Sequence, residues 1–219
     1  MDFALARRNM VESQIRPNGV TDPQVLDAMG DLPREAFVPR ERQGIAYIDH
    51  ELPLGNGRAM MSPMVLAKLL QAAAVQPGDL ALVVGCATGY SAAVLSRLAG
   101  SVVGLDSDPS LLAQAGQILA DRHIDSVVLV EGPLRQGWPK TGPYNVILFD
   151  GAVGDIPTVL VDQLADGGRL LAPMAAVRPS APATATLITR VGTHLGRRDL
   201  FEAGAPLLKD FIPEPSFSF

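Results

Sequence analysis

Residues 79–106 read Asp-Leu-Ala-Leu-Val-Val-Gly-Cys-Ala-Thr-Gly-Tyr-Ser-Ala-Ala-Val-Leu-Ser-Arg-Leu-Ala-Gly-Ser-Val-Val-Gly-Leu-Asp. Leu80–Val84 is an apolar run long enough for a buried parallel strand and too short for a core helix. Gly85 and Gly89 follow at once, then an apolar helical pattern through Ala92, Ala93, Val94, Leu95 and Leu98. A second run, Val102–Leu105, ends in Asp106, twenty-one residues after Gly85. Glycines let the backbone approach a polar group at a helix start, and an acid after the next strand can accept from ribose hydroxyls. The stretch therefore reads as a site for a nucleotide-like ligand rather than as a plain turn between two strand–helix units.

The 219 residues suit one α/β domain with an N-terminal extension, and a 47% hydrophobic content supplies a core that needs no disulfide or metal staple. A net charge of −5 argues against a nucleic-acid-binding surface. Arg7-Arg8 and Arg197-Arg198 are isolated pairs on solvated faces. Cys86, the single cysteine, excludes an intrachain disulfide and a multi-cysteine zinc site, and His50, His123 and His194 lack ligand spacing. No apolar run reaches the roughly eighteen residues of a membrane span, and Met1–Met10 carries Asp2, Arg7 and Arg8, unlike a signal peptide. A cytoplasmic protein that engages neither membrane nor nucleic acid is the expectation.

From Asp79 onward strands and helices alternate, which means a doubly wound, mostly parallel sheet. The predicted strands are Leu80–Val84, Ser101–Leu105, Ser126–Val130, Tyr144–Phe149 and Arg169–Leu171. Helices are predicted at Tyr90–Leu98, Pro109–Asp121 and Pro157–Leu164. Thr184–Val191 then reads as a strand, Leu195-Gly196 as a turn, and Asp199–Ala203 as an antiparallel return. Upstream, Thr21 is expected to cap a helix that Gly30 stops, and Ser62-Pro63 to start another. Residues 45–61 form a glycine-rich connection too apolar for a linker. Three regions follow: an N-terminal extension (1–62), the α/β domain (63–204) and a tail (205–219) that packs as an extended cover.

A parallel sheet closed by an antiparallel hairpin, with a glycine loop after its first strand, resembles the class I S-adenosylmethionine-dependent methyltransferase fold, which is Rossmann-like. Within that group the chain is similar to the protein-L-isoaspartate O-methyltransferase family, nearly end to end. The likeness is carried by Met10-Val11-Glu12-Ser13-Gln14-Ile15-Arg16, by Val25–Met29 with Pro33-Arg34-Glu35-Ala36-Phe37-Val38-Pro39, and by Ala46-Tyr47-Ile48-Asp49 with Leu52-Pro53-Leu54-Gly55. Gly137-Trp138-Pro139, Pro143–Ile147 and Gln163–Leu170 extend it. The resemblance implies a methyl donor, S-adenosyl-L-methionine, and a protein or peptide acceptor containing L-isoaspartate. It also implies roles. Gly85, Cys86, Ala87 and Gly89 would wrap the amino-acid end of the donor. Asp106, with Ser107 beside it, would take the ribose, Gly132 and Pro133 would border the adenine, and Asp150 would face the cleft.

The departures from the family pattern cluster at the site. An acid two positions before the first loop glycine is replaced by Val83, the middle loop glycine is Ala87, and a Gly-Asp-Gly segment becomes Glu131-Gly132-Pro133. The family's active-site serine aligns with Met61, and Ser62 stands one position later. A one-residue shift turns a side chain by about 100° on a helix or to the opposite face of a strand. Ser62 is thus either the catalytic serine of a shortened loop or the N-cap of the helix at Pro63. Cys86 reads as a small loop filler rather than a nucleophile, Trp138 and Tyr144 read as core, and Asp108 or Ser107 caps the next helix better than Asp106. Three rivals follow: a non-catalytic relative acting as a binding or structural module, a methyltransferase for another acceptor, and a nicotinamide-dependent oxidoreductase, whose glycine fingerprint fits poorly.

Overall fold

In the computed structural model, which describes residues 1–176 and 181–212, a seven-stranded sheet organises the chain. The strands are β3 (Leu80–Val84), β4 (Ser101–Asp106), β5 (Val127–Glu131), β6 (Tyr144–Phe149), β7 (Leu164–Met174), β8 (Ala183–Val191) and β9 (His194–Ala203). A separate hairpin, β1 (Leu52–Gly55) with β2 (Arg58–Met60), precedes them. The sheet order is β5-β4-β3-β6-β7-β8-β9, parallel up to β7 and antiparallel beyond it. Helices cover both faces, so Ala81, Leu82, Val83 and Val84 are wholly buried and the strand is apolar on every residue. The chain runs outward from β3 through β4 to β5, then returns to β6 on the other side. The crevice at that reversal, outside the carboxyl ends of β3 and β6, is where such sheets place ligands.

The N-terminal region is one helical arm, α1 (Phe3–Met10) running on through wider and tighter turns to Asn18, followed by α2 (Pro23–Asp31). Asp22, not Thr21, caps α2, its carboxylate accepting from the amides of Gln24 and Val25. Gly30 stays inside the helix, and Pro33, which cannot continue a helix, lies just beyond its end. Ser62 caps α3 (Pro63–Ala73). The helix after the glycine loop, α4 (Tyr90–Leu95), is shorter than its apolar pattern and entirely buried. It is followed by α5 (Pro109–Asp121) and the single turn α6 (Thr158–Val161).

Two differences from the sequence reading have local causes. β7 begins at Leu164 rather than Arg169 because Tyr144 pairs with Leu164, and the register then jumps so that Val146 faces Arg169. Gly167 (φ +75°) and Gly168 make that bulge, and a Cβ on Gly168 would stand 2.7 Å from the Ala165 carbonyl. The final hairpin turns at Gly192-Thr193, not at Leu195-Gly196. Val191 faces His194, and Gly192 at φ +58° supplies the left-handed residue that a two-residue loop needs. Of the tail, residues 206–212 lie against the sheet's carboxyl edge, and 213–219 fall outside the described residues.

Candidate functional site

The glycine loop is bonded inward. The amides of Gly85 and Cys86 both donate to the Leu105 carbonyl (2.8 and 3.0 Å), the Ala87 amide to Asp106 Oδ2 (2.8 Å), and the Gly89 amide to the Cys86 carbonyl (2.8 Å). The first three amides therefore fasten the loop to β4, and the fourth closes a turn within it. Ala87 sits at φ +46°, the left-handed conformation its family glycine would adopt freely. Cys86 is buried, and its thiol is pushed well above the usual range by burial, with the carboxylates of Asp106 and Asp150 adding to the shift. A neutral thiol in such a place is a filler and not a nucleophile.

Asp106 is completely buried and already partnered. Arg58 Nη2 approaches its Oδ1 at 3.2 Å and Nε at 3.4 Å, and the Asp108 amide donates to the same oxygen at 3.0 Å. Arg58 also donates to Ser107 Oγ (3.0 Å) and to Asp210 (3.1 Å) from the C-terminal segment. Burial alone would draw the Arg58 pKa down, but the two carboxylates more than offset it. The residue is delivered by the β1–β2 hairpin, whose tip has both Asn56 (φ +50°) and Gly57 (φ +75°) left-handed. Asn56 Nδ2 pins that tip to Asp108 (2.7 Å), which caps α5 through the amides of Ser110 and Leu111.

The C-terminal segment then fills the crevice. The Ala152 amide donates to the Pro206 carbonyl (2.7 Å), the Leu208 amide to Ala152 (2.9 Å), and the Gly154 amide to Phe211 (3.1 Å). Leu208 is 2% exposed, and a Cβ on Gly85 would stand 2.9 Å from its methyl carbon. Phe211 is wholly buried, edge-on to Phe149 at 5.3 Å, with the Arg135 guanidinium 5.4 Å from its ring. Gly132 donates to the Asp106 carbonyl (3.1 Å), and Pro133 leads into the turn that carries Arg135. With residues 206–211 in this position the crevice does not fit a nucleoside: Leu208 covers the loop glycine, and Arg58 and Asp210 occupy the carboxylate and hydroxyl of Asp106 and Ser107.

A buried polar group lies behind it. Arg34 is fully enclosed, donating from Nε to the Ala46 carbonyl (2.8 Å) and from Nη2 to Met61 (2.5 Å), with its guanidinium 4.8 Å from the Tyr90 ring. Its Nη1, the Tyr90 hydroxyl, Ser91 Oγ and Asp150 Oδ1 make no hydrogen bond to another described residue. Burial pushes the Asp150 carboxyl up to about 7, against the opposing pull of Ser91 and Arg34, while Asp106 adds to the rise. Arg34, Arg58, Leu208, Asp210 and Phe211 carried no signal in periodicity or spacing. Only Asn56-Gly57, a strong hairpin dipeptide, could have announced the strand that presents Arg58.

Ser62, the candidate catalytic serine, stands at the start of α3. Its hydroxyl accepts from the Val65 amide at 3.4 Å, so it caps α3, and it also lines an open cleft of about 310 Å³ with Asp49, His50, Glu51, Met64 and Gly204. Asp49 accepts from the Met64 amide (3.2 Å), and burial raises the Glu51 carboxyl from its ordinary value, with His50 opposing. Met61, aligned with the family serine, is wholly buried in the core.

A mostly parallel sheet ending in an antiparallel hairpin, with a glycine loop after its first strand and an acid after the next, defines a Rossmann-like methyltransferase fold. A Plasmodium falciparum structure described as a protein-L-isoaspartate O-methyltransferase in complex with S-adenosyl-L-homocysteine shares it, with TM-score 0.79 and 20% identity over 96% of this chain and 99% of that one. A model of the family protein-L-isoaspartate(D-aspartate) O-methyltransferase matches residues 6–187, and the chain belongs to that family. Among its relatives, a protein-L-isoaspartate O-methyltransferase of Methylorubrum extorquens (strain PA1) is 40% identical over 97% of this chain and 87% of its own. Another, protein-L-isoaspartate O-methyltransferase 2 of an Anaeromyxobacter species (strain Fw109-5), is 42% identical over 76% of this chain and 69% of its own. Among the described residues no helix is long and apolar enough to cross a membrane, and no cluster of three or more His, Cys, Asp or Glu could hold a metal.

Proposed function

We propose that the chain is an S-adenosylmethionine-dependent protein carboxyl O-methyltransferase acting on isomerised aspartyl residues of damaged proteins. The observation that carries this reading is the family match through residues 6–187, which spans the glycine loop and, apart from Gly204, the residues of the cleft beside Ser62. S-adenosylmethionine, when bound, supplies an activated methyl group on sulfur. An acceptor carboxylate of pKa about 4 is already ionised at pH 7, so the protein needs no general base and its work is alignment and exclusion of water. Residues 47–62 and Ser62 are the acceptor side. Their cleft shares Glu51 and Gly204 with a second one of about 410 Å³, lined by small residues such as Ala175, Ala183 and Ala205, and the two together would take the acceptor peptide. The N-terminal region, residues 1–62, would thereby serve the substrate, with a cytoplasmic location to match.

A second reading, a binding or structural module, is favoured by the crevice being filled by the chain's own residues. One assay separates them: transfer of labelled methyl from S-adenosylmethionine to an isoaspartyl peptide, against the same peptide with ordinary aspartate. Base-labile methyl ester on the isoaspartyl peptide alone, reduced at least tenfold in Ser62→Ala, supports the enzyme and its serine. Equal labelling of both peptides would overturn the acceptor, and none at all the activity.

A further inference from the structure

The segment that fills the crevice is built for its place. Gly151, which follows Asp150 at the end of β6, does not occupy a left-handed backbone, so nothing in its own conformation asks for glycine. Its reason is the segment: a Cβ there would stand 2.6 Å from the Pro206 carbonyl and 2.8 Å from Leu208 Cγ. The segment in turn brings matched groups. Leu208 lies over Gly85, Phe211 over Phe149, and Asp210 over Arg58, the same arginine that engages Asp106 and Ser107. Three backbone hydrogen bonds, at Ala152, Leu208 and Gly154, tie it to the loop after β6. Apolar, aromatic and charged contacts thus succeed one another along the path a nucleoside would follow, from the loop glycine past Asp106 to the strand end.

We propose that residues 206–211 form an intramolecular strap that occupies the nucleoside crevice and has to leave before the methyl donor can enter. The proposal rests on the methyltransferase reading above and adds its regulation: the resting chain is closed by its own C-terminal segment. A ligand that binds only the open form binds the whole population more weakly by the fraction that is open. Arg58 exchanges partners in the same step, since release of Asp210 leaves it between Asp106 and the incoming ligand.

Gly151→Ala tests this in the full-length chain, because the added methyl group collides with the strap and leaves the sheet intact. Calorimetry with S-adenosylhomocysteine and hydrogen exchange at residues 152–154 and 206–212 are the two readouts. The expected result is binding at least tenfold tighter in Gly151→Ala than in the parent. Exchange at Leu208 and Gly154 should be faster in the variant, and also in the parent once ligand is added. Phe211→Ala, which removes the segment's buried aromatic contact with Phe149 in the full-length chain, should behave as Gly151→Ala does. Equal affinity in parent and variants, with the strap still protected in the liganded parent, would overturn the strap and leave the donor reading standing. Unaltered exchange in Gly151→Ala would overturn it too, since the close contact would then constrain nothing. If the strap opens in the variants but neither form binds at millimolar ligand, the switch is overturned and the donor reading falls with it.

Discussion

Replacing Arg58 by Met keeps most of the side chain's length and removes the charge that faces Asp106. Arg58 is 7% exposed and Asp106 not at all, and Nη2 stands 3.2 Å from Oδ1. At an effective dielectric constant of about 20 that separation corresponds to a gross attraction of about 5 kcal/mol, most of it offset by the cost of desolvating both ions. Removing one partner does not restore that cost. Asp106 would remain buried with only the Ala87 and Asp108 amides for company, a loss of about 3–5 kcal/mol. Asp106→Asn should be milder, about 1–3 kcal/mol, because Arg58 still reaches Asp210, whose side chain is 32% exposed. The double variant carries no unpaired buried charge and should fall short of the summed losses by about 1–3 kcal/mol. Urea unfolding of the parent, both single variants and the double variant at pH 7 gives the cycle directly. A loss under 1 kcal/mol for Arg58→Met, or additivity within about 0.5 kcal/mol, would refute the view of Arg58 as a buried counter-ion.

Asp150 predicts a pH dependence of definite sign. Its carboxyl holds a proton up to about pH 7 when folded and only to about 4 when unfolded. Its contribution to stability therefore falls as pH rises between those values and is level above. Asp150→Asn should remove that slope and, at pH 8, exceed the parent by about 2–4 kcal/mol in urea unfolding; parallel pH profiles would contradict it. Ala74, exposed and left-handed (φ +46°) at the end of α3, should gain about 0.5–1 kcal/mol on conversion to Gly, since relief of the strained backbone exceeds the added unfolded-state entropy. A destabilised Ala74→Gly chain would argue against that strain. Cys86 should react with a thiol reagent at least about a hundredfold more slowly in the native chain than in guanidinium, and comparable rates would mean the loop opens freely.

The sheet was legible because β3 and the inner residues of β4 and β6 are apolar runs bounded by polar residues, glycine or acid, and burial on both faces demands such runs. Leu80–Val84 and Tyr144–Phe149 begin and end where composition changes. Elements fixed by one dihedral were harder. The last hairpin turns at Gly192 rather than at Gly196, though both glycines lie in similar surroundings in the sequence, and only the pairing of Val191 with His194 decides between them. The site was legible where it is local and opaque where it is assembled. Gly85, Gly89 and Asp106 announce themselves within one strand–loop–helix–strand unit. Arg58 lies 48 residues from Asp106 and Asp210 another 152 beyond Arg58, so no periodicity or spacing relates them. The same distance gives the two groups their meaning. The buried Asp106 at the end of β4 is held by an arginine from the hairpin that precedes the sheet, itself steadied by an aspartate from the segment that follows it. Arg58 answers both carboxylates from one buried position, so a change at Asp210 is felt at Asp106 although no short motif contains the two.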